Sequence, residues 1–315
     1  MLFITVDLEI KWTINTFCNF SCAHCFYRGQ KRDVDRPHNI SQVLESIDRL
    51  DKTCLIKITG GEPFFTNNFV ELCEKLTQKH IIGLNTNLSH KDVSRFAEVI
   101  DPKKVSNINC SLHIPERERL NLVEDYIKKY KLLEAKGFNV FAVYVLHPEV
   151  LDRFEDDYNF FKSHGIILTP KVFRGNWNKS EKFDTRFIKR IKRAFNTYYP
   201  NAYTKKQKEK IISYIEQSQK DLTPLSNSKP DELKARIWDL TYEKSLINDS
   251  PTFKGKTCLA GKSFIKITSA GEAFRCSKRH YLGNLFTGQV ELFKKPMKCS
   301  YKSCHCPYLG YYYSY

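Results

Sequence analysis

Residues 8–25 read LEIKWTINTFCNFSCAHC: an apolar run, Leu8–Ile14, followed at once by Cys18, Cys22 and Cys25. The run has the length and composition of a strand, so the cysteines sit on the loop that leaves it. Their spacing, C-x3-C-x2-C, gathers three thiols into one short segment. A structural zinc or an all-cysteine iron–sulfur cluster normally takes four protein ligands. Three thiolates therefore leave one metal corner open for a small molecule.

Working outward, apolar runs recur at Cys54–Thr59, Ile81–Asn85, Val105–His113, Phe138–Leu146 and Ile166–Phe173, with helical patterns between them. Ile40, Val43, Leu44 and Ile47 follow the i, i+3, i+4, i+7 rule behind Asn39, with Gln42 three residues on. Ser89 and Asp92 are placed as a second capping box ahead of Val93, Phe96 and Ile100. Gly137 and Gly165 fall where helix C-terminal glycines belong. Six β/α units in series predict a parallel sheet wrapped by helices. Six are too few to close an eight-stranded barrel, so the expected α/β fold is an open, partial (β/α)6 TIM barrel. Its chemistry is expected at the C-terminal ends of the strands. Residues 1–177 are read as the barrel, 178–253 as a helical insert and 254–315 as a small cysteine-rich hairpin module.

The 315 residues include eleven cysteines, and the formal net charge is +16. An odd cysteine count, short-spaced clusters and no secretory apolar region argue for metal ligation over a disulfide scaffold. Cys54, Cys73 and Cys110 stand apart, within apolar patterns, as small buried groups. No apolar run approaches the roughly 20 residues of a membrane helix, and the expected location is the cytoplasm with no membrane partner. The positive charge favours anionic partners without choosing among them.

A second motif, Thr59-Gly60-Gly61-Glu62-Pro63, begins 34 residues after Cys25 and at the end of the next strand. Two glycines permit close backbone approach, and a carboxylate can hold an ammonium group. Together the cysteine loop and this motif resemble the signature of the radical S-adenosylmethionine (SAM) enzymes over roughly residues 8–175. Asn85-Thr86-Asn87-Leu88 resembles the family's Thr-Asn-Gly segment, departing from it at Leu88. Ser111 and His113 end the fourth strand, and His24 stands beside the third cysteine. The resemblance implies a [4Fe–4S] cluster on Cys18, Cys22 and Cys25, with SAM completing the fourth iron. It further implies SAM contacts from Gly60, Gly61 and Glu62, and from Asn87, Ser111 and His113. The implied reaction is reductive cleavage of SAM to a 5′-deoxyadenosyl radical, which takes a hydrogen atom from a substrate C–H. No general base is identified; Tyr144, His147, Lys171 and Arg174 are candidates by position alone.

Near the C-terminus, Cys258-x12-Gly271-x4-Cys276 and Cys299-x4-Cys304-x-Cys306 flank a hairpin pattern turning at Ala270-Gly271. This resembles the SPASM and Twitch modules appended to many radical SAM enzymes. A full SPASM module carries seven cysteines. Five suffice for one auxiliary [4Fe–4S] cluster with four ligands, and which of the last three stays free is not readable. Such a cluster suggests an acceptor for an electron from the substrate.

Family precedent points to a peptide or protein side chain as substrate, with an electron donor such as flavodoxin or ferredoxin. The chain starts directly at the barrel, so leader recognition would fall to a separate protein. Oxidation of a small molecule, an amino sugar or nucleotide, stays open. So does nucleic acid: residues 178–220 hold 12 Lys and Arg against 4 Asp and Glu, with Tyr198, Tyr199, Tyr203 and Tyr214 interleaved. A solvated helix face is the plainer reading of that stretch. The non-enzyme alternative is a zinc-stabilised scaffold.

Overall fold

A computed structural model describes residues 6–25, 39–173, 203–224, 230–248, 254–276 and 280–300. They fall into two compact units, the first holding residues up to Val140 together with 254–300, the second residues 141–248. Arg174, Tyr198, Tyr199, Cys304 and Cys306 lie outside the described residues, as does the start of the expected helical insert.

The first unit opens as the apolar periodicity requires: β1 (Leu8–Thr13), α1 (Ile40–Asp48), β2 (Cys54–Thr59), α2 (Phe69–Lys79), β3 (Ile81–Thr86), α3 (Val93–Val99), β4 (Val105–Ser111), α4 (Ile114–Arg119) and α5 (Val123–Ala135). The strands pair in parallel and in chain order; Leu8 lies opposite Cys54, and Thr13 opposite Thr59. Alternate strand residues (Leu8, Ile10, Trp12, Cys54, Ile56, Ile58, Ile82, Leu84) are buried, as are Val43, Ile47, Leu72, Leu76 and Phe96 of the helices. Each fully buried large side chain contributes about 1.5–3 kcal/mol. Cys54, Cys73 and Cys110 are all buried, as expected of small apolar groups. Asn39 caps α1 by accepting from Gln42 N at 3.1 Å. Gly137 and Gly165 follow their helices at φ +87° and +69°. The expected Ser89–Asp92 capping box does not form. Asp92 makes no side-chain cap bond, and the Ser89 hydroxyl is shared with Asn19 of the cysteine loop instead.

The sheet continues on the other side of β1. After the short β7 (Thr257–Cys258), β8 (Phe264–Ile267) pairs in parallel with β1, from Glu9 opposite Phe264 to Trp12 opposite Ile267. From there β9 (Glu272–Phe274), β10 (Tyr281–Asn284) and β11 (Gln289–Val290) run as an antiparallel meander. The β8–β9 turn has Gly271 at φ +78°, a conformation that favours glycine. A separate two-stranded ladder joins β7 to β12 (Met297–Lys298).

In the second unit, β5 (Val140–Leu146) and β6 (Leu168–Val172) are parallel neighbours. With them go α6 (Phe154–Ser163), α7 (Lys205–Leu222) and α8 (Pro230–Asn248). Helix side chains meet the backbone of β6 much as another strand would. Arg236 donates to Thr169 Oγ1 at 3.0 Å and to the Ile167 carbonyl, and Glu243 accepts from Val172 N at 2.8 Å. Tyr203 accepts from Phe173 N at 2.8 Å. The six expected β/α strands are present, β1–β4 parallel in the first unit and β5–β6 parallel in the second, and the fold is of the partial-barrel α/β class. None of the described helices is long and apolar enough to cross a membrane.

Candidate functional site

The ends of β1 and β2 are laced together before any ligand is considered. Asn15 accepts from Gly61 N at 3.1 Å and donates to the Glu62 carbonyl at 2.9 Å and Thr66 Oγ1 at 2.8 Å. Glu62 N donates to the Phe17 carbonyl at 2.7 Å. A Cβ at Gly60 would lie 2.7 Å from the Asn15 carbonyl oxygen, and one at Gly61 only 2.0 Å from that of Phe17. Both glycines are thus demanded by the approach of the cysteine loop itself.

The Glu62 carboxylate is 0% exposed. It accepts from Thr86 Oγ1 at 2.7 Å, Asn87 N at 2.5 Å and Phe64 N at 3.2 Å. Burial pushes its pKa up to about 7, against the pull of those donors and of Arg117. Its visible work is to join the ends of β2 and β3. Asn87 carries the linkage onward, its amide lying 3.7 Å from Cys18 Sγ and 3.1 Å from Asn19 Oδ1. At the departure from the family segment, Leu88 adopts φ +56°. That is glycine-like backbone, costing a leucine about 1–2 kcal/mol, and the side chain is 1% exposed, so burial offsets the strain.

Arg117 was not apparent in the sequence, where IPERER reads as a charged surface turn. It is completely buried. Its guanidinium donates to the carbonyls of Asn87, Ser111 (3.1 Å) and Leu112, and lies 4.1 Å from the Tyr126 ring centroid and 5.4 Å from that of Phe20. One cation therefore pins the ends of β3 and β4 and faces the cysteine loop. Burial lowers its pKa to about 10, leaving it charged at neutral pH.

Cys18, Cys22 and Cys25 are each half-buried, unlike the three fully buried cysteines elsewhere. The Cys22 thiol is pushed up to about 12, first by burial, then by Cys18, Cys25 and Glu116. A bound cation would deprotonate such a thiol, with release of its proton. This donor set fits a cluster with three protein thiolates. Ser111 meets the site through its backbone carbonyl. His113, at φ +46°, caps α4 and sets Nδ1 3.2 Å from His24 Nε2. Burial first, then His24 and Arg117, holds His113 well below the usual histidine range, hence neutral. Ligand atoms of Cys22, His24 and His113 all lie within 4.8 Å of one another.

Of the C-terminal cysteines, Cys258 stands opposite Met297, and Cys299 N donates to the Lys256 carbonyl at 2.8 Å. Cys258 and Cys299 therefore share one face of the ladder at diagonal positions. Buried Arg275, next to Cys276, donates to the Ala260 carbonyl at 2.8 Å and to that of Met297 at 3.3 Å. It ties the three cysteine-bearing segments to one another. The positional base candidates are engaged within the second unit. Tyr144 donates to Asp157 at 2.7 Å, Lys171 pairs with Asp239 and Glu243, and His147 Nδ1 accepts from Glu149 N at 3.3 Å.

The Radical SAM superfamily model matches residues 12–161. The chain is 22% identical over 216 residues to the GTP 3′,8-cyclase of Haemophilus influenzae (strain PittGG), covering 56% of this chain and 64% of that enzyme. It is 32% identical over 81 residues to the mycofactocin maturase of Mycolicibacterium smegmatis, covering 25% of this chain and 20% of the maturase. The chain thus spans less than two thirds of the length of these curated relatives. Among solved structures, native anSMEcpe with bound AdoMet and a Kp18Cys peptide superposes with TM-score 0.59 at 16% identity, over 90% of this chain and 80% of that one. Streptococcus suis SuiB bound to SAM gives 0.51 at 14% identity, over 90% and 64%. At those identities the likeness is one of fold. The family match covers the strand ends that hold the cysteine loop, so residues 12–161 carry a domain of the Radical SAM superfamily, whose family cofactors are a [4Fe–4S] cluster and SAM.

Proposed function

We propose that the chain is a radical SAM oxidoreductase in which Cys18, Cys22 and Cys25 hold the [4Fe–4S] cluster. The Gly60–Glu62 turn, Asn87, Ser111 and His113 would surround SAM. Cluster and SAM together supply the reductive cleavage chemistry that removes a hydrogen atom from a substrate C–H. The observation that carries this reading is the linkage of the cysteine loop to three strand ends through Asn15, Glu62, Asn87 and Arg117. The Asn87 amide faces the Cys18 sulfur and would steady a thiolate there. Neutral His113 adds no charge beside the thiols.

Cys258, Cys276 and Cys299, with a ligand from Cys304 or Cys306, would hold one auxiliary [4Fe–4S] cluster that accepts an electron from the substrate. A flavodoxin or ferredoxin would deliver the electron that starts turnover. For the substrate, a peptide or protein side chain draws its support from relatives: the mycofactocin maturase, and SuiB bound to its precursor peptide SuiA, with TM-score 0.50. The second reading, oxidation or rearrangement of a small molecule such as an amino sugar or nucleotide, draws its support from the GTP 3′,8-cyclase relatives.

The test is anaerobic: reconstituted full chain, dithionite and SAM, with 5′-deoxyadenosine followed by mass spectrometry alongside iron and sulfide per chain. Cleavage that disappears in Cys18→Ala, Cys22→Ala and Cys25→Ala, but survives in Cys258→Ala, supports the reading. A colourless, zinc-containing protein that binds no SAM would overturn it.

A further inference from the structure

Hydrogen-bonding side chains line up near the ends of four strands. Thr13 lies opposite Thr59 across β1 and β2, and Asn85 opposite Asn109 across β3 and β4. The pairing of Ile58 with Leu84 sets Thr59 beside Asn85, and Asn85 Nδ2 donates to Thr59 Oγ1 at 3.5 Å. The four residues thus form one row on one face of β1–β4. The other face is the apolar one, where Trp12, Ile58, Leu84 and Ile108 are buried. All four members of the row are uncharged and half-buried. Each stands one or two residues before a segment of the site described above: Thr13 before Asn15, Thr59 before Gly60, Asn85 before Asn87 and Asn109 before Ser111. At about 3.3 Å per residue, the row lies within about 7 Å of those segments along the strands.

A relay of carboxamides knits the row together. Asn107 donates to Asn109 Oδ1 at 3.1 Å, Asn109 to Asn85 Oδ1 at 2.7 Å, and Asn85 onward to Thr59. A carboxamide carries two N–H donors. Asn85 and Asn109 therefore each use one N–H within the relay and keep the second, while their oxygens already accept. What the row offers a ligand is donors first, because an N–H left without a partner costs more than a carbonyl that already accepts once. Adjacent strands are about 4.8 Å apart. Two donors at that spacing both reach one oxygen at about 2.9 Å, with an angle of about 110° between them, which suits the lone pairs of a carbonyl. The row carries no formal charge, and Lys57, two residues back along β2, pairs with Glu9 at 3.1 Å. An anion on the row would give up water without meeting a counter-charge in it. A hydroxyl would bring a donor of its own to place.

We propose that this row is a substrate subsite for an uncharged amide carbonyl, in which Asn85 and Asn109, with Thr59 beside them, hold a peptide segment next to the SAM site. The inference rests on the radical SAM reading for the reaction that follows, but binding at the row is testable apart from that reading.

The probe is N-acetyl-alanyl-alanine methylamide carrying carbon-13 at its carbonyls, added anaerobically to the reconstituted full chain. Equilibrium dialysis gives its affinity, isotope-edited infrared spectroscopy reads its amide band, and SAM binding is measured in parallel. Saturable one-to-one binding is expected, with the amide band moved to lower frequency. Asn85→Leu and Asn109→Leu should each weaken it about fivefold to tenfold, with SAM binding unchanged. Thr59→Ser should retain peptide binding, as should Gln78→Ala, which removes an exposed carboxamide on α2. Should a leucine variant fail to fold, Asn85→Asp and Asn109→Asp keep the shape, remove the N–H donors and should lose the band shift. Non-saturable binding, or equal loss in Gln78→Ala, would overturn the subsite. So would uridine, myo-inositol or inorganic phosphate binding as tightly as the peptide with the same dependence on Asn85 and Asn109, since each assigns the row to another chemistry. Loss of SAM binding in the leucine variants would overturn it by giving the row to SAM. Peptide binding that persists in a chain unable to bind SAM would instead overturn the radical SAM reading and leave the subsite standing.

Discussion

The two cysteine regions are assembled by opposite means. Cys18, Cys22 and Cys25 lie within eight residues, and their loop is gripped from outside by Asn15, Asn87, Glu116 and Arg117. Cys258 and Cys299 are 41 residues apart in sequence, and a two-residue ladder brings them together with Arg275 as a tie. The first site takes its order from side chains on several ends of the parallel sheet; the second takes it from a two-residue ladder and one arginine. Ordering of the C-terminal segments should therefore depend on metal far more than ordering of the loop.

The comparison breaks most sharply at Gly61. In Gly61→Ala the new Cβ would collide with the Phe17 carbonyl at 2.0 Å. The two loops must part, at a cost of about 3 kcal/mol or more. Iron at the loop and SAM binding should be lost while iron at the C-terminal cysteines is retained, as Mössbauer or EPR spectroscopy of the two populations would reveal. Equal loss at both would mean that the regions are not independent.

Next in size is Arg117→Met, which strands the carbonyls of Asn87, Ser111 and Leu112. A global destabilisation of about 3 kcal/mol is expected in chemical denaturation. Arg275→Met removes donors from Ala260 and Met297 and should cost about 1–2 kcal/mol. Its expected signature is local: lower iron content from the C-terminal site, faster amide exchange over 255–261 and 295–299, and unimpaired SAM cleavage. A loss of cleavage there would refute the division of labour.

The smallest effect is a pH dependence. Burial raises the Glu62 carboxyl from 4.5 to about 7. The native state then holds a proton that the unfolded state releases between those values. The group's contribution to stability is fully present below about pH 4.5 and is lost as pH rises through 7. Glu62→Gln should lack this fall, so the stability difference between wild type and variant should drift against the wild type across that window. A flat difference would mean that the three donors outweigh burial.

The strands were legible because alternating burial writes itself into composition, and the cysteine loop because its ligands are neighbours in sequence. Arg117 was illegible for the converse reason. IPERER differs in no local way from an exposed turn, and only the return of α4 against β4 encloses the guanidinium. Ser89 misled because a hydroxyl three residues before an acid has two uses, and Asn19, 70 residues away, won it. β8 was legible only as one arm of a hairpin. Its place beside β1 rests on the register of the two strands, which no local pattern specifies.

That register has a consequence for the order in which the chain is made. Glu9 and Phe264 are 255 residues apart, yet they are neighbours in one sheet. At about 5–20 residues per second, β8 leaves the ribosome roughly 13–50 seconds after β1. For that interval one edge of β1 has no strand beside it, and a bare edge is a template for pairing with other chains. Nascent chains stalled before residue 264 should therefore be the species that most need a chaperone.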